Sequence, residues 1–314
     1  MDNKVICVVG PTACGKTKMG VALAQRFGGE VVSVDSMQIY RGMTVGTAAP
    51  TAEEMEGVPH HMVAVADPAE SWSVARYVRE ADACVQDILR RGKRPVLVGG
   101  TGLYLDALVR GQDFAAGSQG GEIRRELQEK LAKDGAGALL EALRAVDPES
   151  AARLHLRDEK RIVRALEVYY ETGETIGAHD RKNREIPPRY DAAYIGLTFR
   201  DREDMKERID RRVDAMVAQG LLQEVETLLQ SGLPRDATAL QAIGYKQFLA
   251  VAEGRATVAE AIAEVKLRSR QYAKRQLTWL RRNEATHWIL WEKTPDFPAG
   301  LQNATEFLLS AGVC

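Results

Sequence analysis

The chain is short of cysteine: four in 314 residues (Cys7, Cys14, Cys84 and Cys314), with no C-x-x-C pair and no histidine at ligand spacing. That argues against a disulfide framework or a zinc site and favours a reducing compartment. No stretch approaches eighteen apolar residues, which argues against a membrane-spanning helix. The opening residues, MDNKVICVVG, run straight into a strand-like segment without a signal-peptide pattern, so a cytoplasmic protein is expected. An excess of one charge is also missing: 43 Lys and Arg against 44 Asp and Glu leave a net charge of −1. Any attraction to nucleic acid or a membrane surface must therefore come from a local patch. Internal repeats and low-complexity segments are absent. The remaining composition, 45% hydrophobic and 28% charged, suits one large α/β domain or a core with a smaller domain.

What is present begins at Gly10. GPTACGKT follows the apolar run VICVV and matches G-x-x-x-x-G-K-[ST]. In such a loop, Gly10, Pro11, Thr12, Ala13, Cys14 and Gly15 wrap phosphate oxygens with backbone N–H groups at a helix N-terminus. Lys16 adds a positive charge and the Thr17 hydroxyl faces a Mg2+ ion. Cys14 stands near the helix N-terminus, where a thiol pKa can fall; otherwise it is a small side chain at a variable position. A nucleoside triphosphate is the default ligand. No water-activating acid or glutamine beside the loop is evident from spacing, which weakens a hydrolase reading.

Short apolar runs alternate with helical periodicity from Lys4 to about Val109. VVSVD (Val31–Asp35) and PVLVGG (Pro95–Gly100) read as strands, with helices over Lys16–Phe27 and Val74–Arg91. Near-continuous apolar strands alternating with helices predict a parallel sheet covered on both faces. Glu122–Thr172 reads as helical, with breaks at Gly135–Gly137 and Asp147–Pro148. The polar, proline-containing stretch Lys182–Tyr190 then hands over to the strand YIGLTF (Tyr194–Phe199). Helices are expected over Asp201–Gln230, Gln241–Glu253 and Thr257–Arg282, and HWILW (His287–Trp291) could add a strand. The fold class is thus α/β, a P-loop NTPase-like parallel sheet core flanked by helices, with a helical insertion domain. The core is placed at 1–115 and 193–314 and the insertion at 116–192.

In an open α/β sheet, ligands bind outside the carboxyl ends of the strands. Asp35, Ser36, Gln38, Tyr40 and Thr101 would meet the phosphate loop there. Asp35 is equally placed to cap a helical turn. Arg208 and Arg212, at i and i+4, share a helix face, either as ligand contacts or as a solvated face paired with Asp204, Glu207 and Asp210. The adjacent His60 and His61 lack a third ligand. Lys266–Arg282 carries seven Lys or Arg and no acid, with Tyr272 and Trp279 interleaved, the footprint of phosphate contacts with a nucleic acid.

Eight stretches taken together resemble one family: GPTACGKT, SVDSMQIYRGMTVGTA, VPHHMVAVADP, LVGGTGLYLDAL, EKRIVRALEV, RIDRRVDAMVAQGLLQEV, AIGYKQ and AKRQLTWLRRN. In this order they are similar to the bacterial tRNA dimethylallyltransferases, also called tRNA isopentenyltransferases, over about residues 5–290. The resemblance implies transfer of a dimethylallyl group from dimethylallyl diphosphate to N6 of adenosine 37 beside the tRNA anticodon. The phosphate loop, Mg2+ at Thr17, Arg208 and Arg212 would then take up the departing diphosphate. Asp35 is implied as general base and Thr101 as its neighbour at the reacting centre. DSMQ (Asp35, Ser36, Met37, Gln38) corresponds to the segment that reads the adenine, extruded into a tunnel.

The same resemblance implies tRNA contacts from Lys160, Arg161, Ile162, Val163 and Arg164, with Arg124 from the same insert. Further contacts are implied from Gln241, Gly244, Tyr245 and Lys246, and from Lys274, Arg275, Gln276, Thr278, Trp279 and Arg281. A monomer is expected. One departure stands out: Gly46–Pro50 reads GTAAP where the family usually has GTAKP, so Ala49 replaces a lysine. The competing readings are a small-molecule kinase, an enzyme prenylating free AMP or ADP, and a non-catalytic RNA-binding protein.

Overall fold

A computed structural model describes residues 3–112 and 121–314. The insertion boundary expected at 115/116 lies outside the described residues. In chain order the first unit opens with β1 (Lys4–Val9), α1 (Lys16–Arg26), β2 (Gly29–Val34), α2 (Ala52–Met55), β3 (His60–His61), α3 (Val74–Arg90), β4 (Arg94–Gly99) and α4 (Gly102–Arg110). Four helices follow: α5 (Glu122–Val146), α6 (Pro148–Arg153), α7 (Glu159–Thr172) and α8 (Ile176–Glu185). The chain returns through β5 (Asp191–Phe199), α9 (Arg202–Ala218), α10 (Leu221–Gln230), α11 (Tyr245–Ala252), α12 (Val258–Leu280), β6 (His287–Trp291) and α13 (Phe297–Ser310). Two compact units result, one of Met1–Val109 with Arg189–Cys314, the other of Arg110–Pro188.

The sheet is parallel throughout, in the order β3-β2-β4-β1-β5-β6. Val5, Ile6, Cys7 and Val8 are completely buried, as a strand covered on both faces requires. Gly99 is in register with both Val9 and Val34, so three neighbouring strands end at one level. The loop after β1, Asp35 after β2 and Thr101 after β4 are thereby delivered to the same sheet edge. α1 lies close against β4 because Gly20 has no side chain: a Cβ there would sit 2.4 Å from Val98 Cγ2. Gly220, at φ 100°, separates α9 from α10 in a conformation few other residues adopt.

Five elements escaped the sequence reading: the four-residue α2, the two-residue β3, α4, α8 and α13. α8 occupies part of the polar stretch before the proline pair, started by Thr175, whose side chain accepts from Ala178 N. β5 begins at Asp191, three residues before the expected strand. In the helical unit, Gly135 (φ 78°, ψ 169°) breaks α5 at the expected place. Leu127, Leu139, Leu143, Ile162 and Leu166 form that unit's core.

At the opposite end of β2, Glu30 is 2% exposed. Its carboxylate accepts from Arg91 Nη2 at 2.7 Å and Lys93 Nζ at 2.8 Å, and His61 Nε2 lies at 2.8 Å. The hydrogen bonds from Arg91, above all, hold this carboxyl far below the usual carboxylate range despite its burial. The folded pKa lies below the unfolded value of 4.5, so the stabilisation is complete above pH 4.5 and is lost as the pH falls towards the folded value. Arg91 and Lys93 are 39% and 44% exposed, which moderates the effect. Glu30→Gln should therefore cost about 1–3 kcal/mol at neutral pH. The difference from wild type in calorimetric stability should narrow as the pH drops below about 4.5. A gap that stays constant down to pH 3 would assign Glu30 to packing alone.

Candidate active site

The loop between β1 and α1 is shaped to receive an anion. Ala13 (φ 65°) and Gly15 (φ 93°) occupy the left-handed region, turning successive N–H groups to one side. No side chain caps α1, and its first turn carries no acid, so its terminal N–H groups face the loop uncompensated. Lys16 Nζ arches back to donate to the Pro11 carbonyl at 2.7 Å.

Within the same unit, a cavity of about 780 Å³ opens over this loop. Thr12, Ala13, Gly15, Lys16 and Thr17 line it together with Asp35, Ser36, Met37 and Gln38. α9 contributes Arg208 and Arg212, and α12 contributes Tyr272, Arg275 and Gln276. Six cationic side chains face two acids, Asp35 and Glu54, in a chain whose net charge is −1. Val98, Ile209, Val213, Met216 and Val265 make an apolar wall in the same space.

Asp35 sits in a turn rather than ahead of a helix. Its Oδ1 accepts from Met37 N at 2.8 Å and Gln38 N at 3.3 Å, which fixes the carboxylate. Oδ2 has no hydrogen-bond partner among the described residues. Thr101 Oγ1 accepts from Ser36 N at 3.2 Å, tying β4's exit to the same turn. The Gln38 amide is already held: Oε1 accepts from Ser33 Oγ at 3.0 Å, and Nε2 donates to the Thr47 and Ala48 carbonyls.

The arginines of α9 do not join a solvated charge pattern. Asp210 pairs with Arg270 and Glu207 with Lys293, leaving Arg208 and Arg212 without an ion pair among the described residues. Burial, and to a lesser degree the neighbouring Arg208, lower the Arg212 pKa, with Glu54 opposing them.

Cys14 takes the small-residue reading. It is 2% exposed and belongs to the core. Burial pushes its thiol pKa up, outweighing Lys16 and the helix N-terminus. Its carbonyl accepts from Trp291 Nε1 at 3.0 Å, tying the loop to β6.

Several expected RNA contacts lie elsewhere. Ile162 and Val163 are 1% and 5% exposed, inside the helical unit's core. Arg124 Nε and Nη2 grip the fully buried Glu167, which also accepts from Arg164. Tyr245 is completely buried, its hydroxyl donating to Glu224; that carboxylate also accepts from the N–H groups of Thr44, Val45 and Gly46. Gln276 is 6% exposed, and Trp279 Nε1 donates to Asp106 Oδ2 at 2.8 Å. Lys160, Arg161, Gln241, Lys246, Lys274, Arg275, Thr278 and Arg281 are exposed; Gly244 is buried.

The basic run of α12 is smaller in space than in sequence. Lys266 pairs with Asp214, Arg268 with Glu264 and Arg270 with Asp210. Lys274, Arg275, Arg281 and Arg282 form the remainder. Tyr272, which sequence reasoning treated only as an interleaved aromatic, lines the cavity beside Asp35 and Gln276. Burial and the nearby Asp35 push its hydroxyl up to about 12. The signal was its i, i+4 spacing to Gln276, which puts both on one helix face.

The chain matches the IPP transferase family over residues 38–283 and the isopentenyl transferase family over residues 3–64. The tRNA dimethylallyltransferase of Geobacillus thermodenitrificans is 47% identical over 290 residues, covering 92% of this chain and 91% of that one. The crystal structure of the full-length tRNA isopentenylpyrophosphate transferase from Bacillus halodurans is 41% identical at a TM-score of 0.74, covering 99% of this chain and 97% of that one. A eukaryotic dimethylallyltransferase captured acting on tRNA is 32% identical at a TM-score of 0.81, over 97% of this chain and 77% of its own.

Proposed function

The chain belongs to the IPP transferase family, and from that premise we propose that it transfers a dimethylallyl group from dimethylallyl diphosphate to N6 of adenosine 37 in tRNA, releasing diphosphate. One observation carries the reading: a single cavity holds the phosphate loop, two arginines without ion pairs among the described residues, an apolar wall and Asp35. A diphosphate suits the cationic side and a five-carbon allyl group the apolar one. A kinase would have no evident use for that apolar wall.

The reaction breaks the bond from the allylic carbon to the diphosphate oxygen and forms one from that carbon to N6. Loop N–H groups, Lys16, Arg208 and Arg212 receive the negative charge that builds on the leaving group. The amine is a weak nucleophile, its lone pair delocalised into the purine. Asp35, held through Oδ1, keeps Oδ2 to accept the N6 proton as the new bond forms. Thr101 and Ser36 hold that turn at the sheet edge. Mg2+ fits the oxygen donors available, the Thr17 hydroxyl together with the ligand's own phosphate oxygens; when bound it supplies further charge neutralisation for the diphosphate.

The adenine enters the cavity extruded from the anticodon loop. Lys274 and Arg275 on the exposed side of α12 and Arg281 just past its end serve as phosphate contacts, with Lys160 and Arg161 on the helical unit. Ala49 removes one cation relative to the family pattern, without touching the chemistry. The protein acts as a monomer in this reading.

Incubation with labelled dimethylallyl diphosphate, Mg2+ and either unmodified tRNA or AMP tests the assignment. Label should appear in tRNA alone; label in AMP only, or in neither, would overturn it. The K274A/R275A double substitution should weaken tRNA binding and reduce the slope of log K against log salt by roughly 1–2. An unchanged slope would remove this patch from the interface.

A further inference from the structure

One N–H of the phosphate loop is already occupied. Thr12 N donates to Gln276 Oε1 at 2.9 Å, while Gln276 Nε2 donates to the Gly100 carbonyl at 3.0 Å. These two partners determine the amide's orientation, since a flip would set N–H against N–H and oxygen against oxygen. The side chain is also wedged: a Cβ on Gly100 would lie 2.2 Å from Gln276 Nε2. Thr12 and Gln276 both line the cavity. An acceptor oxygen from α12 therefore stands where this loop would otherwise offer a donor.

We propose that Gln276 is a specificity-determining residue that restricts the phosphate loop to a diphosphate and disfavours a triphosphate. The inference rests on the reading above, that the loop holds a diphosphate. A longer phosphate chain brings more charge and needs more donors to offset its desolvation. Capping Thr12 N–H removes one donor, and the amide oxygen that caps it repels anionic oxygens. A motif shared with triphosphate-binding loops thus serves a shorter anion without any change of its own letters. The filter comes from a side chain 264 residues further along the chain.

Calorimetric titration with inorganic diphosphate and inorganic triphosphate, in the presence of Mg2+, tests this on wild type, Gln276→Ala and Gln276→Glu. Wild type should favour diphosphate by roughly tenfold, the scale of one charge-assisted hydrogen bond. Gln276→Ala should bring the ratio close to parity. Gln276→Glu keeps an acceptor for Thr12 N–H and adds charge, so it should widen the ratio. Thermal melting controls for folding, and Gln276→Glu decides alone if the alanine variant does not fold. A diphosphate-to-triphosphate ratio unchanged in the folded variants, with diphosphate still bound, overturns the role of Gln276 and leaves the proposed function standing. Failure of the wild type to bind either anion overturns both.

Discussion

Asp35→Asn is expected to lower turnover by roughly two to four orders of magnitude while donor and tRNA still bind. The geometry makes asparagine the informative substitution. Its amide oxygen can continue to accept from Met37 N and Gln38 N, as Asp35 Oδ1 does at 2.8 and 3.3 Å, so the turn survives. Its NH2 replaces the free Oδ2 and cannot take a proton from N6. Alanine would remove the turn and the base together, confounding the two roles. Single-turnover transfer measured beside filter binding of tRNA separates them. Loss of binding in parallel with activity would make Asp35 a structural or RNA-holding residue, and near-normal turnover would exclude it as the base.

Arg212→Ala should weaken diphosphate binding roughly ten- to a hundredfold, the scale of a hydrogen bond to a charged group in a partly desolvated site. Arg208→Ala should do less, because that side chain is the more exposed of the two. The unliganded protein should respond in the opposite sense. Arg212 is a partly buried cation without an ion pair among the described residues, its charged form disfavoured by burial and by Arg208. Removing it should leave the thermal midpoint unchanged or raise it, while abolishing much of the midpoint gain that wild type shows on adding diphosphate. A lower midpoint without ligand would mean that Arg212 is a brace for the fold.

The sheet was readable because VICVV and PVLVGG are apolar without alternation, and the phosphate loop because its glycines and lysine stand at fixed offsets. β3 is too short for any period to register. α8 was hidden by a composition as polar as a loop, although Thr175 stood as its cap. Side-chain roles were harder to read than elements. Ile162, Val163 and Tyr245 sit in stretches shared with the family, yet a shared stretch does not distinguish a contact from the core that supports it. Lys266 and Arg270 look uncompensated in sequence because Asp214 and Asp210, their partners, lie 52 and 60 residues away. Gln276 was expected on RNA, and only the assembled sheet shows its amide spent between Thr12 and Gly100.

The burial of Cys14 also bears on selectivity among nucleophiles. An allylic diphosphate is an alkylating agent, and sulfur attacks such carbons more readily than an aromatic amine does. A thiolate in the phosphate loop would intercept the donor and inactivate the protein turn by turn. Here the sulfur is in the core, 2% exposed, with its pKa raised, so in the proposed reaction the loop would hold the donor without competing for its reactive carbon.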